Sequence, residues 1–172
     1  MPTRPSKTDP VLLELPPLKV AVVRSVGDPN VVGEAVFKAL YGCVYTLKFA
    51  RKKAGLGDFK VGPVRARWPN AHLAPREQWE AIWALPVPDD VTALPQKIPT
   101  VSVTLETWPY GLVAQILHLG PYSAEGPTVQ RLHAFIAEQG YELAGIHEEE
   151  YLTRPDAKEP RTIVRCEVRK IV

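Results

Sequence analysis

No run of apolar residues in this sequence approaches the about 20 that a membrane-spanning helix needs. The opening residues, MPTRPSKTDP, hold no apolar segment that could serve as a signal sequence. From these two absences a cytoplasmic protein with no membrane partner is expected. Excess charge is also lacking: 21 Lys and Arg stand against 19 Asp and Glu, and the longest like-charge runs are Arg51-Lys52-Lys53 and Glu148-Glu149-Glu150. That balance offers no electrostatic footprint for nucleic acid, so direct nucleic-acid binding is not expected. Cysteine is scarce. Cys43 and Cys166 fall in apolar segments and read as buried thiols, because two lone cysteines build no metal site without His or carboxylate help. His72 and His133 have loop and helix-surface settings, and no pair of histidines has convincing ligand spacing; neither metal nor cofactor is expected. There is no P-loop, no G-x-G-x-x-G after a strand, no nucleophile elbow and no HExxH, which sets aside the common nucleotide, serine-hydrolase and zinc-peptidase chemistries.

What the sequence does contain is periodic order. A chain of 172 residues can bury roughly 70% of its unfolded surface around one core. Residues 1–17 are proline-rich and should run extended into the domain. A strand is expected over 19–26, and Gly27-Asp28-Pro29-Asn30 supplies a turn and a helix N-cap. The helix over 31–49 has an inner stripe of Val32, Val36, Leu40, Cys43, Val44 and Leu47, flanked by Phe37, Tyr41 and Tyr45 at four-residue spacing. A solvated loop over 51–60 precedes strands over 61–68 and 78–86. A proline-rich crossover at 87–100 then leads to a strand over 101–108. The strand over 112–119 is apolar apart from Gln115 and His118, as a covered central strand should be. Gly120-Pro121 breaks it. A helix from about Ser123 carries Val129, Leu132, Phe135 and Ile136 on one stripe and ends at Gly140. One strand is expected from Tyr141 through Tyr151, with His147, Glu149 and Tyr151 on one face and Glu148 and Glu150 on the other. A last strand covers 162–172.

Laying Gly27 on Gly120 exposes an internal repeat. Val20, Ala21, Val23, Val26, Gly33 and Val36 then fall on Val113, Ala114, Ile116, Leu119, Gly126 and Val129. Both halves read strand, glycine turn, helix, strand, strand. The expected fold is therefore α+β: two pseudo-symmetric βαββ repeats joined in an antiparallel sheet, with two helices on one face and the opposite, concave face forming a central ligand cleft. A single domain spans 18–172, with repeat one at about 18–88 and repeat two at about 101–172.

Four stretches, LPPLKVAVVRSVGDPN, LYGCVYTLKF, AQILHLGPYSAEGPTVQRLHAFI and HEEEYLTRPDAKEPRTIVR, resemble the GyrI-like small-molecule-binding family in its stand-alone form. The resemblance covers roughly residues 11–172. It implies a fold shared with effector domains of multidrug-responsive regulators and with SOUL haem-binding proteins, two repeats around an aromatic-walled cleft, and a carboxylate inside. It also implies, for some stand-alone members, hydrolysis of the strained cyclopropane of DNA-alkylating compounds. One stretch departs from the family. Where relatives carry a PLEGLWW-like strand, this chain has Pro63-Val64-Arg65-Ala66-Arg67-Trp68-Pro69, and the direction in which the two arginines face is left open.

By composition alone Glu149 reads as a solvated strand end; the resemblance, through the family motif H-x-E-x-Y-L matched by His147, Glu149, Tyr151 and Leu152, implies Glu149 and Tyr151 as catalytic candidates. A carboxylate in apolar surroundings is able to hold a cation or act as a general base toward water. A tyrosine hydroxyl can hydrogen-bond a ligand carbonyl. Candidate ligand-binding residues are Tyr45, Trp68, Trp79, Trp83, Trp108, Tyr110, His118 and Tyr122. Trp79 and Trp83 share a strand face across Ala81 and should flank a notch for flat ligands. Three functions follow: binding and detoxification of small aromatic or hydrophobic, in part cationic, molecules; hydrolysis of cyclopropanoids with Glu149 as base; and modulation of a macromolecular partner such as gyrase, as the family's name suggests. A haem role rests on fold analogy alone and finds no support in the residues. No helix-turn-helix precedes the first strand, so direct transcriptional regulation is not expected.

Overall fold

The computed structural model describes residues 7–154 and 156–172, so residues 1–6 of the expected extended segment lie outside it. Among the described residues two compact units emerge, one formed by 17–109 and the other by 7–16 together with 110–172. Each is an antiparallel sheet with one helix packed on it, and the chain is α+β with two βαββ repeats.

In the 17–109 unit, β2 (Leu18–Val26) leads into α1 (Pro29–Lys53), followed by β3 (Arg65–Arg67), β4 (Glu80–Pro86) and β5 (Thr104–Trp108). The strand order is β3-β4-β2-β5, antiparallel throughout. The α1 start is fixed locally: the Asp28 carboxylate accepts from the Asn30 N–H at 2.9 Å and Pro29 opens the first turn. Arg51, Lys52 and Lys53 occupy its last turn, where cations suit the carbonyl end of the helix dipole. Those residues were expected in a loop. No breaker occurs before Gly55, whose backbone takes a φ of 72°, so the helix continues to that point. The expected strand over 61–68 shrinks to Arg65–Arg67, because Gly62 takes a φ of 83° and Pro63 cannot donate to a ladder.

In the second unit, β6 (Gly111–Leu119) leads into a single turn at Tyr122–Ala124, α2 (Gly126–Glu138), β7 (Tyr141–Leu143), β8 (Glu148–Tyr151) and β9 (Arg161–Lys170). Val11–Leu15 forms β1 and pairs with β6, giving the order β8-β9-β6-β1 with β7 also on β9. The core beneath α2 joins Leu132 and Ile136 to Ala114 and Ile116 of β6 and to Val164, Cys166 and Val168 of β9. Superposing Gly27 on Gly120 lays β1 on β5 and β2 on β6 along their full lengths. Yet β1, which leads into β2, pairs with β6, while β5, which leads into β6, pairs with β2. Each sheet is thus completed by the strand that precedes the other.

The single strand expected from Tyr141 to Tyr151 is broken in two. Leu143 pairs with Val168 and Glu148 with Arg165, so residues 144–147 are set against Cys166 and Glu167 alone. The excess chain bulges out of the ladder. Gly145 allows it: a Cβ there would lie 2.9 Å from Glu167 Oε2 and 3.0 Å from its Cβ.

Candidate functional site

Glu149 lies opposite Val164, and Val164 packs against α2. Glu149 therefore sits on the helix-covered face, whereas the sequence-based fold had reserved the opposite face for a cleft. The alternation of β8 puts Glu148 and Glu150 on that opposite face, as expected from period two. The bulge before β8 presents His147 beside Glu149, with His147 Nε2 3.2 Å from Glu149 Oε2 and 3.5 Å from Glu125 Oε1. Glu125 immediately precedes α2 and reaches the cluster from the turn. The Tyr122 and Tyr151 rings meet edge to face at 5.4 Å alongside it, Tyr122 being 42% exposed.

These groups set one another's protonation. Burial pushes the Glu149 carboxyl up, Glu125 adds to that, and the opposing pull of His147 leaves it at about 7. The Glu125 carboxyl would also be pushed up by burial, but its hydrogen bonds to His147 and Glu149 outweigh this and hold it below the usual range. Burial disfavours the His147 imidazolium; contacts with Cys166, Glu125 and Glu149 outweigh burial and raise it to about 11. Near neutral pH the cluster is an imidazolium between an ionised Glu125 and a Glu149 poised to gain or lose a proton. Such a group is suited to general acid–base work. Tyr122 is shifted up by burial and by both carboxylates, so its hydroxyl keeps its proton and can donate it in a hydrogen bond.

The opposite face of the same strands holds a second constellation. Arg165 donates from Nη1 to Glu148 Oε2 at 2.6 Å, from Nη2 to Glu150 Oε2 at 2.9 Å and from Nε to Gln115 Oε1 at 2.9 Å. The Tyr110 hydroxyl donates to Glu148 at 2.9 Å, and the Tyr110 ring lies 5.7 Å from the guanidinium. Every member of this set is buried except the half-buried Gln115. A fork of this kind holds its partners rigidly and is a structural network first.

A family model for the GyrI-like small molecule binding domain matches residues 8–169. The chain belongs to that family. Among solved structures, this GyrI-like chain is similar to an uncharacterized conserved protein from Listeria innocua, at 26% identity and a TM-score of 0.83, over 94% of this chain and 93% of the other. Two hydrolase structures from Listeria innocua are similar at 26% and 25% identity, with TM-scores of 0.81 and 0.84, over 94% of this chain and 92% of theirs. The C-terminal domain of EcmrR shares the fold at 17% identity and a TM-score of 0.63, over 95% of this chain and 98% of that one. No curated protein sequence matches.

The remaining sequence-derived residues of this GyrI-like chain are distributed as follows. Trp68, Trp79 and Trp83 form one cluster on the α1 side of their sheet: Trp68 meets Trp79 at 5.9 Å and Trp83 at 5.2 Å, and Phe37 of α1 meets Trp83 at 5.0 Å. The notch expected between Trp79 and Trp83 is thus filled by Trp68, the residue just past the end of β3, which strand periodicity does not reveal. Trp79 and Trp83 donate their indole N–H groups to Ala74 O and Ser25 Oγ, each at 3.0 Å. The Trp68 indole N–H is buried with no acceptor among the described residues. Arg65 and Arg67 alternate with Ala66, which pairs with Trp83, and so project from the face away from α1. Arg67 lays its guanidinium 3.7 Å from the Trp108 ring centroid. Tyr45 is 43% exposed on α1, with its ring 6.4 Å from Tyr41 and 6.2 Å from Phe49. His118 is buried with both nitrogens engaged, Nε2–H donating to Pro121 O at 3.0 Å and Nδ1 accepting from Thr128 Oγ1 at 2.7 Å. It ties β6 to the start of α2.

Glu125 escaped the sequence reading. An acidic residue just ahead of a helix looks like ordinary dipole compensation, and only the turn at Tyr122–Ala124 reveals that it faces β8. Arg165 and Glu148 were also missed as partners, since their spacing in sequence says nothing of β8–β9 register.

Described residues include no helix long and apolar enough to cross a membrane.

Proposed function

We propose that this GyrI-like protein binds small aromatic electrophiles and hydrolyses them, Glu149 acting as the general base. The observation that carries the reading is the Glu149 carboxyl, buried, held at about 7 and in contact with His147 and Glu125 beside two tyrosines. The similarity to hydrolases over nearly the whole chain supports it.

A strained cyclopropane conjugated to a dienone is the substrate class considered. Ionised Glu149 takes a proton from water as the water oxygen bonds to the electrophilic ring carbon. The carbon–carbon bond of the ring breaks, its electron pair flows into the dienone, and a phenolate forms. A tyrosine hydroxyl hydrogen-bonds the developing oxyanion, and the proton held on Glu149 returns to it, so the net change is addition of one water. Burial of the base contributes by matching its proton affinity to the working pH. The same step disarms cytotoxic aromatic compounds.

The test is incubation of wild type and Glu149→Gln with excess cyclopropane-bearing dienone, following intact and ring-opened compound by mass spectrometry. Many turnovers by wild type and few by the variant support the reading. Compound bound and returned unchanged supports sequestration of aromatic ligands in place of hydrolysis, and neither binding nor opening sinks both for this class.

A further inference from the structure

Glu125, His147 and Glu149 each offer one ligand atom, and the three atoms lie within 4.8 Å of one another. We propose that these residues form a binding site for a divalent transition-metal cation, zinc foremost, and that the bound cation switches off water activation by Glu149. The second half rests on the hydrolase reading; the first half stands without it.

The spacing fits. Zinc bonds of about 2.0–2.1 Å in tetrahedral array put ligand atoms roughly 3.3 Å apart. His147 Nε2 is 3.2 Å from Glu149 Oε2 and 3.5 Å from Glu125 Oε1. The donor chemistry fits as well: one imidazole and two carboxylates suit zinc or manganese, whereas calcium and magnesium favour all-oxygen shells. Three separate pieces of the fold deliver the donors, namely the residue ahead of α2, the bulge, and β8. Cys166 of β9 lies beside the His147 ring and helps to hold the imidazole in place. A buried and a half-buried carboxylate side by side concentrate negative charge that a dication neutralises. His147 remains 28% exposed, which leaves an approach for the ion and a position for water. Once both carboxylates bind metal, the cation's charge lowers the proton affinity of Glu149 and fixes it on the ion, so it no longer takes a proton from water and turnover stops.

Isothermal titration of zinc chloride into chelator-treated, dialysed protein at neutral pH tests the site. One equivalent should bind with a micromolar dissociation constant and displace the His147 Nε2 proton into the buffer, so that affinity rises with pH, and cobalt(II) in its place should give the visible absorption of a low-coordinate ion. Glu125→Gln and His147→Ala should each weaken binding by about tenfold or more. Circular dichroism checks the fold, and if His147→Ala does not fold, Glu125→Gln carries the comparison. No saturable binding up to about 1 mM overturns the site, as does affinity unchanged in the folded variants. Turnover of the cyclopropane dienone should fall with zinc and return with chelator. Turnover without zinc binding removes the metal site and leaves the hydrolase. Zinc binding without turnover under any condition does the reverse.

Discussion

Glu148 and Glu149 are neighbours in the chain yet face opposite sides of the sheet: Glu148 meets Arg165 at 2.6 Å, and Glu149 meets His147 at 3.2 Å on the side of α2. The same side chain chemistry is thereby given two different tasks.

Substitution separates the two. Glu148→Ala leaves Arg165 buried without its closest counter-charge and should cost about 3 kcal/mol in stability. Glu149→Gln should leave the urea midpoint nearly unchanged below pH 4.5, where Glu149 is protonated, and lower turnover at neutral pH by about 100-fold or more. Equal stability losses for both, with equal activity, would refute the division.

Proton linkage gives a second prediction. The Glu149 carboxyl has its folded value raised from 4.5 to about 7, chiefly by burial, so the folded state holds a proton that the unfolded chain has released. That contribution is present below pH 4.5 and is lost as pH rises through about 7. His147 is raised from 6.5 to about 11, and its contribution is complete below 6.5 and lost as pH approaches 11. Urea midpoints of wild type should therefore decline through both windows, and Glu149→Gln should lack the first decline. In the same first window kcat/KM should rise as the base ionises.

The tryptophan cluster behaves as core. Trp83 is buried, meets Trp68 and Phe37 edge-on, and hydrogen-bonds Ser25. Trp83→Ala should cost about 3–5 kcal/mol by chemical denaturation. A loss below about 1 kcal/mol would mean that the rings are not packed as core.

The bulge is tested at Gly145. A methyl group there collides with Glu167, so Gly145→Ala should destabilise by about 1–3 kcal/mol and move His147. Chemical denaturation reads the first effect. An upward shift in KM with the fold intact reads the second.

Much of the architecture was legible. The repeat marked by Gly27 and Gly120 arises because each helix must turn back onto its sheet, and that demand leaves the same glycine at the same place twice. The faces of β8 followed from period two alone. Other features depend on partners distant in sequence. The β8–β9 register that sets Arg165 between Glu148 and Glu150, the filling of the Trp79–Trp83 notch by Trp68, and the approach of Glu125 to His147 are all tertiary. The bulge left one signal, the lone Gly145 inside an apparent strand, but with no proline in 144–147 the stretch read as continuous, and the ladder with β9 shows the surplus.

The exchange of leading strands has a consequence for synthesis. Every strand of the 17–109 sheet lies within one continuous segment, so that sheet can close as soon as the segment is free of the ribosome. Val11–Leu15, made earlier, must wait for Gly111–Leu119 before it has a ladder to join. At about 5–20 residues per second the nascent chain carries an unmatched apolar edge for roughly 5–20 seconds, which is the interval in which a chaperone, or the corresponding edge of another copy, would find it.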